Sequence, residues 1–410
     1  MYTTKIVRTR AVIDYGVLKE SRTNVLPYGK VEDGQIEWRF GQFTDDTQLA
    51  RELLVSIAEC DGELNAGDYA SRIAGLFHKA GMTGAICCGC NFSGRIVGFG
   101  HATHRAAMKV CRGLSDAWYT SGQDTPGNGG AMRVGPLGIL FLHSSDKELA
   151  IACALQSHPT HVRRTTMAAA AAVAAAVREA ALSALRGHNI EAGAFCAACA
   201  RVAGVLNDDV ANAVRSISEQ LGRNDDTGAK GAIIELGRKL GDGNGWGPDM
   251  ISPTAVQSSL WSMYCFLRHP DDPIDCICAA INAGGDTDTT AAMAGAMVGA
   301  RTGITKLPQE LLACINDAGM WGVHDLEVLA KKLEVLILAE KIALPLQSPV
   351  HFTRDDSLHV RPGATLEAVP TPSLNKLVIA RAIIVAIFAL CLSFMYDAVS
   401  PGPQQDVSFL

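Results

Sequence analysis

Residues 165–185, TTMAAAAAVAAAVREAALSAL, constrain the fold of this chain more than any other stretch. Alanine loses least on entering a helix, and neither Gly nor Pro interrupts the run, so the segment is read as helical. It is apolar nearly all round and has little face to offer water, so burial on most sides is expected. A buried helix must be wrapped by other elements, and the rest of the sequence supplies them. Leu49, Leu53, Leu54, Ile57 and Ala58 recur at helical spacing, and similar spacing returns around residues 68–80 and 101–118. Further helical stretches are read at about 190–222, 228–240, 254–268, 273–283, 289–303, 307–316 and 325–342. No series of alternating strands lies between them. Gly-rich turns at 127–130, 241–247 and 284–285 punctuate the packing. The expected fold is therefore all-α, a single large orthogonal multi-helix domain of ten or more helices, with a C-terminal hydrophobic helix.

The chain's 410 residues, 48% of them hydrophobic, suffice for a substantial core. A net charge of −6 argues against affinity built on neutralising nucleic-acid phosphates, so no nucleic-acid partner is expected, and the domain is read as a monomer. The thirteen cysteines are odd in number and scattered through apolar contexts, which speaks against a disulfide framework. Cys196-Ala-Ala-Cys199 and Cys87-Cys88-Gly-Cys90 lack a second pair at zinc-site spacing and are read as free thiols. The start of the sequence has no apolar run long enough for a secretory signal, so a cytoplasmic setting is expected.

Five regions are expected. Residues 1–36 are a variable segment broken by Gly16, Pro27, Gly29 and Gly34; 37–345 are the helical domain; 346–375 are a linker containing Pro and Ser; 376–397 are a hydrophobic helix; 398–410 are a polar tail. The run 377–396 carries one charge, Arg381, and has nearly the length that crosses a hydrocarbon core. One reading is a membrane anchor with the helical domain facing the cytosol, and the other is a helix docked on that domain.

Two acidic motifs carry the chemistry. Thr44-Asp45-Asp46-Thr47 and Asp286-Thr287-Asp288-Thr289-Thr290 each precede a helix. Thr and Asp there are ordinary N-caps, since their oxygens satisfy free backbone N–H groups and carboxylates suit the positive helix end. Each motif nevertheless offers more oxygens than one cap uses, and hard divalent cations take oxygen ligands. If the two helix starts face each other, Thr44, Asp45, Asp46, Asp286, Asp288 and Thr289 can hold two ions. A third segment, Gly127-Asn128-Gly129-Gly130-Ala131-Met132-Arg133, matches no nucleotide fingerprint, but its glycines allow close backbone approach to an anion. His158, in Ser157-His158-Pro159 ahead of the Ala-rich helix, is a further polar candidate.

In this order, GQFTDDTQLA, GNGGAMRVGPLG, SHP and AINAGGDTDTTAAMAGAMVGA resemble the signature of the ADP-ribosylglycohydrolase family over about residues 36–340. The resemblance implies an all-α fold, a centre of two Mg²⁺ (or Mn²⁺) ions, and hydrolysis of the bond between ADP-ribose and an acceptor, either a modified protein side chain or a small conjugate. By position it places metal ligands on Thr44, Asp45, Asp46, Asp286, Asp288 and Thr289. It places the pyrophosphate and ribose loop on Thr125 to Gly130, including Gly127, Asn128 and Gly129, and an adenosine-side residue on His158. Asp45 or Asp46 is the candidate to orient or deprotonate the attacking water. Members usually begin with a helix whose glutamate contacts substrate. Here Asp14 to Glu20 only echoes that pattern, one residue short, and Glu20 is the corresponding catalytic candidate. The alternative function is a catalytically inactive ADP-ribose-binding module, or a structural protein that keeps the fold.

Overall fold

The computed structural model describes residues 43–79, 96, 98–113, 117–241, 249–317, 321–345, 348–352 and 358–364. Glu20, the segment 1–36, Cys87 to Cys90 and the hydrophobic stretch 376–397 lie outside the described residues.

The described part is an assembly of helices: α1 (Asp45–Glu59), α2 (Ala66–Lys79), α3 (His101–Arg112), α4 (Trp118–Ser121), α5 (Gly135–Leu140), α6 (Asp146–Ser157), α7 (Arg164–Arg186) and α8 (Ala192–Gly204). It continues with α9 (Asp208–Gly222), α10 (Asp226–Lys239), α11 (Ala255–Arg268), α12 (Pro273–Ile281), α13 (Thr287–Thr302), α14 (Gln309–Leu312) and α15 (Val323–Leu338). A short 3₁₀ turn, Asn128–Gly130, precedes α5. The all-α expectation holds.

The Ala-rich segment is α7, and it is the hub. It packs against α5, α6, α8, α9, α11 and α13, and its residues 166–178 are all buried. Alanine's small side chain is what permits such crowding, because neighbouring backbones can come close. At Gly138 of α5 an added Cβ would run into the carbonyl oxygen of Ala174 and stand 3.0 Å from the Val177 Cβ. Among the described residues α7 is the one helix long and apolar enough to cross a membrane, and 72% of its most apolar window is buried inside the protein. It is a core helix. The described cysteines are free thiols, with Cys196 and Cys199 buried on α8.

Two differences from the sequence reading have local causes. The stretch read as one helix over 190–222 is two, because Asn207 caps α9 by accepting from the backbone N–H of Val210 at 2.9 Å. Within the stretch read as a linker, Ser348–Phe352 and Leu358–Ala364 pair as antiparallel strands, with Val350 opposite Val360 and Phe352 opposite Leu358.

One polar network sits inside the core. Arg51 of α1 is fully buried, and its guanidinium donates to Glu52 Oε1 at 2.8 Å and to Asp317 Oδ2 at 2.5 Å. Gln48 donates to the other Asp317 oxygen at 2.8 Å, and Trp321 lies 4.9 Å from the guanidinium carbon. These bonds tie α1 to the chain ahead of α15 and so fix the start of α1.

Candidate active site

The starts of α1 and α13 meet. Thr44 occupies the N-cap of α1 and Asp286 the N-cap of α13, yet neither side chain makes a capping bond. Asp272, ahead of α12, shows the ordinary alternative, accepting from the backbone N–H groups of Ile274 and Asp275 at 3.0 Å. Thr44 instead turns its hydroxyl to Asp46 Oδ2 at 3.1 Å, and the Thr289 hydroxyl of α13 also hydrogen-bonds Asp46. Asp286 and Asp288 share a hydrogen bond. A turn with φ +73° at Gly284 and +86° at Gly285 delivers Asp286. A Cβ at Gly285 would strike the carbonyl of Ile251, so glycine is required there.

The Gly-rich loop joins the same cluster. Asn128, 7% exposed, donates from Nδ2 to Asp286 Oδ2 at 2.6 Å. The loop is held from behind by Gln156 of α6, whose Nε2 donates to the Gly130 carbonyl at 2.8 Å. Gly129 and Gly130 stand in the first turn of the 3₁₀ segment, where leading N–H groups find no partner within the helix. Thr125 is half-buried at the loop's entry, and its hydroxyl lies 3.4 Å from the Gly127 N–H.

His158 lies on the α4 side of this loop. Its Nε2 is 3.1 Å from the Tyr119 carbonyl, its ring meets Trp118 edge-on at 5.9 Å, and Nδ1 is buried without a partner. A carbonyl only accepts, so Nε2 carries the hydrogen and Nδ1 is a bare acceptor.

The electrostatics are those of an acidic cluster with little countercharge among the described residues. Burial first, then the charges of Asp288 and Asp286, hold the Asp45 carboxyl well above the usual carboxylate range. Burial, Asp288 and Asp45 do the same to Asp46; burial and Asp288 do so to Asp286. Like charges gathered in a dry site resist ionising together. The fully buried Arg133 offsets a little of this at Asp45.

The residues fit a hard divalent cation. The donors are carboxylate and hydroxyl oxygens, and Asp46 Oδ1 is buried with no hydrogen-bond partner. Among the described residues no three His, Cys, Asp or Glu side chains close around one ion-sized point. A cation here would therefore complete its shell with Thr44, Thr289 and water, as Mg²⁺ commonly does.

Thr44, Asp45, Asp46, Asp286, Asp288, Thr289 and Asn128 are thus brought together, and Thr125, Gly127, Gly129, Gly130 and His158 line the adjoining loop and its flank. Sequence reading missed the supports: Arg133, Gln156, Thr160, His161 and Tyr119. The single signal for Arg133 is its lone charge inside the apolar run AMRVGPLGIL.

Comparison with known proteins finds a family match over most of the chain. Residues 9–343 match the family model described as ADP-ribosylglycohydrolase, a match that takes in the Asp14 to Glu20 segment. The chain is 29% identical over 314 residues to ADP-ribosylhydrolase ARH3 of Bos taurus, covering 71% of this chain and 77% of that protein. It is 28% identical over 316 residues to the Homo sapiens ARH3, covering 71% and 78%. It is also 26% identical over 297 residues to the uncharacterized protein YegU of Escherichia coli strain K12, covering 70% and 80%.

Proposed function

The chain belongs to the ADP-ribosylglycohydrolase family, and on that premise we propose that it is a hydrolase cleaving the glycosidic bond between ADP-ribose and an acceptor with the help of two divalent cations. The observation that carries the reading is the meeting of two N-cap residues, Thr44 and Asp286, whose side chains are withheld from capping and turned into a shared acidic cluster.

Thr44, Asp45, Asp46, Asp286, Asp288 and Thr289 would hold the cations, Mg²⁺ or Mn²⁺. Bound there, such ions would polarise ribose hydroxyls and make a nearby water more acidic. The chain's own groups supply the rest. Asp46 Oδ1, a buried oxygen without a partner, would accept a proton from an attacking water and orient it. The surrounding carboxylates offset positive charge that grows on the sugar as its bond to the acceptor breaks. The leading N–H groups of Gly129 and Gly130 suit the pyrophosphate. His158, with Nδ1 as a bare acceptor beside Trp118 and Tyr119, suits the adenosine end, whose exocyclic amine donates. The substrate is an ADP-ribosylated protein side chain or a small ADP-ribose conjugate.

The test is release of ADP-ribose from modified arginine, modified serine and O-acetyl-ADP-ribose, measured with Mn²⁺ and after chelation. At least one substrate should turn over with Mn²⁺ and stop with chelator. Equal rates in both conditions would rule out the cation-dependent mechanism, and tight ADP-ribose binding without turnover on any substrate would leave a binding module.

A further inference from the structure

Beneath the described site lies a chain of buried polar groups that the mechanism above does not use. Arg133 is fully buried. Its Nε donates to Gln156 Oε1 at 2.9 Å, and its Nη2 donates to the Gln156 carbonyl and to Thr160 Oγ1, both at 2.8 Å. Thr160 Oγ1 lies 2.8 Å from His161 Nδ1 and 3.3 Å from the Ser157 carbonyl. His161 is 2% exposed, and its ring is pressed against the Gly-rich loop. Its Nε2 stands 3.2 Å from where a Cβ would sit on either Gly127 or Gly129, and its Cε1 only 2.6 Å from the latter.

The direction of the hydrogens follows from the ends of this chain. A guanidinium only donates, so Thr160 Oγ1 accepts from Arg133. The Thr160 hydroxyl then has one hydrogen to give. The 2.8 Å contact to His161 Nδ1 is close to the usual O–H hydrogen-bond length, whereas 3.3 Å to a carbonyl is long. Nδ1 is therefore the acceptor. Burial and the neighbouring Arg133 charge push the His161 pKa down to about 3, so the ring is neutral and carries a single hydrogen. That hydrogen falls on Nε2, which faces the loop, and no group among the described residues pairs with it.

We propose that Arg133 and Thr160 lock His161 in the Nε2–H form, and that this N–H is a hydrogen-bond donor to a phosphate oxygen of the ligand held by the loop Gly127–Gly130. His161 is then a binding residue, and Thr160 and Arg133 are positioning residues that act through it. The donor role rests on the ADP-ribose reading of the site, but the proton's location does not.

Two measurements on the full-length chain test this. In protein labelled with ¹⁵N-histidine, the His161 ring should show the Nε2–H pattern throughout pH 5–8, and T160V should abolish that fixed preference. Calorimetry with ADP-ribose should show H161Q, which keeps a donor near the Nε2 position, binding within about threefold of wild type. H161N and H161L should bind about ten- to a hundredfold more weakly, the usual effect of losing a bond to a charged group. An Nδ1–H ring in the wild type, or H161L binding as tightly as wild type, overturns the proposal. Should the wild type bind no ADP-ribose with or without Mn²⁺, the donor role falls together with the glycohydrolase reading, and the spectrum still decides the relay.

Discussion

Asp46 shows how strongly this cluster crowds its carboxylates. It is 2% exposed, faces Asp45 and Asp288, and leaves one oxygen unpaired. A carboxyl whose folded-state pKa lies above its unfolded value adds stability only while it keeps its proton. That contribution is complete below the unfolded pKa and is lost as pH rises through the folded one. Cations must displace such protons, so their effect grows with pH. The Mn²⁺-induced rise in Tm should therefore be larger at pH 8 than at pH 5. D46N should raise the Tm of the cation-free protein at pH 8 by removing one like charge, worth roughly 1 kcal/mol. It should also lower turnover by about 10²- to 10⁴-fold and shrink the Mn²⁺ shift. A lower cation-free Tm for D46N would contradict the charge-crowding argument. The acidic residues were legible in the sequence because Thr and Asp clusters at helix starts announce spare oxygens. His161 and Arg133 were not, since a buried base has no periodic signature and its role is set by partners such as Thr160 and Gln156.

At the scale of elements, the fold depends on how closely α5 approaches α7. Helix α7 itself was fully legible, because a long alanine run without Gly or Pro has one low-cost conformation. What α7 packs against was not legible, since alanine periodicity does not say which face receives which neighbour. Gly138 is a point of close approach, with the Ala174 carbonyl and Val177 Cβ filling the space a side chain would need. G138A should destabilise the protein by about 1–3 kcal/mol, because either helix must move to admit the methyl group. Urea denaturation checks this, and an unchanged midpoint would show that the interface gives way freely. Helix starts were read less well than helix existence. The segment read from 289 begins at Thr287 because Asp286 takes the N-cap position without using its side chain as a cap.

At the scale of the whole molecule, the family match over residues 9–343 leaves the C-terminal stretch outside the shared body. The hydrophobic run 377–396 is the basis for a localisation test: full-length protein should sediment with membranes, and protein lacking residues 376–410 should not. Recovery of full-length protein wholly in the soluble fraction would end the anchor hypothesis. Within the body, the contact between Asp46 and Thr289 joins segments more than two hundred residues apart in the chain. A ribosome releases the first long before the second, and α7, on which α13 packs, emerges in between. The acidic cluster therefore cannot close until α13 has been made: a nascent chain that stalls before it holds Asp45 and Asp46 without Asp286 and Asp288.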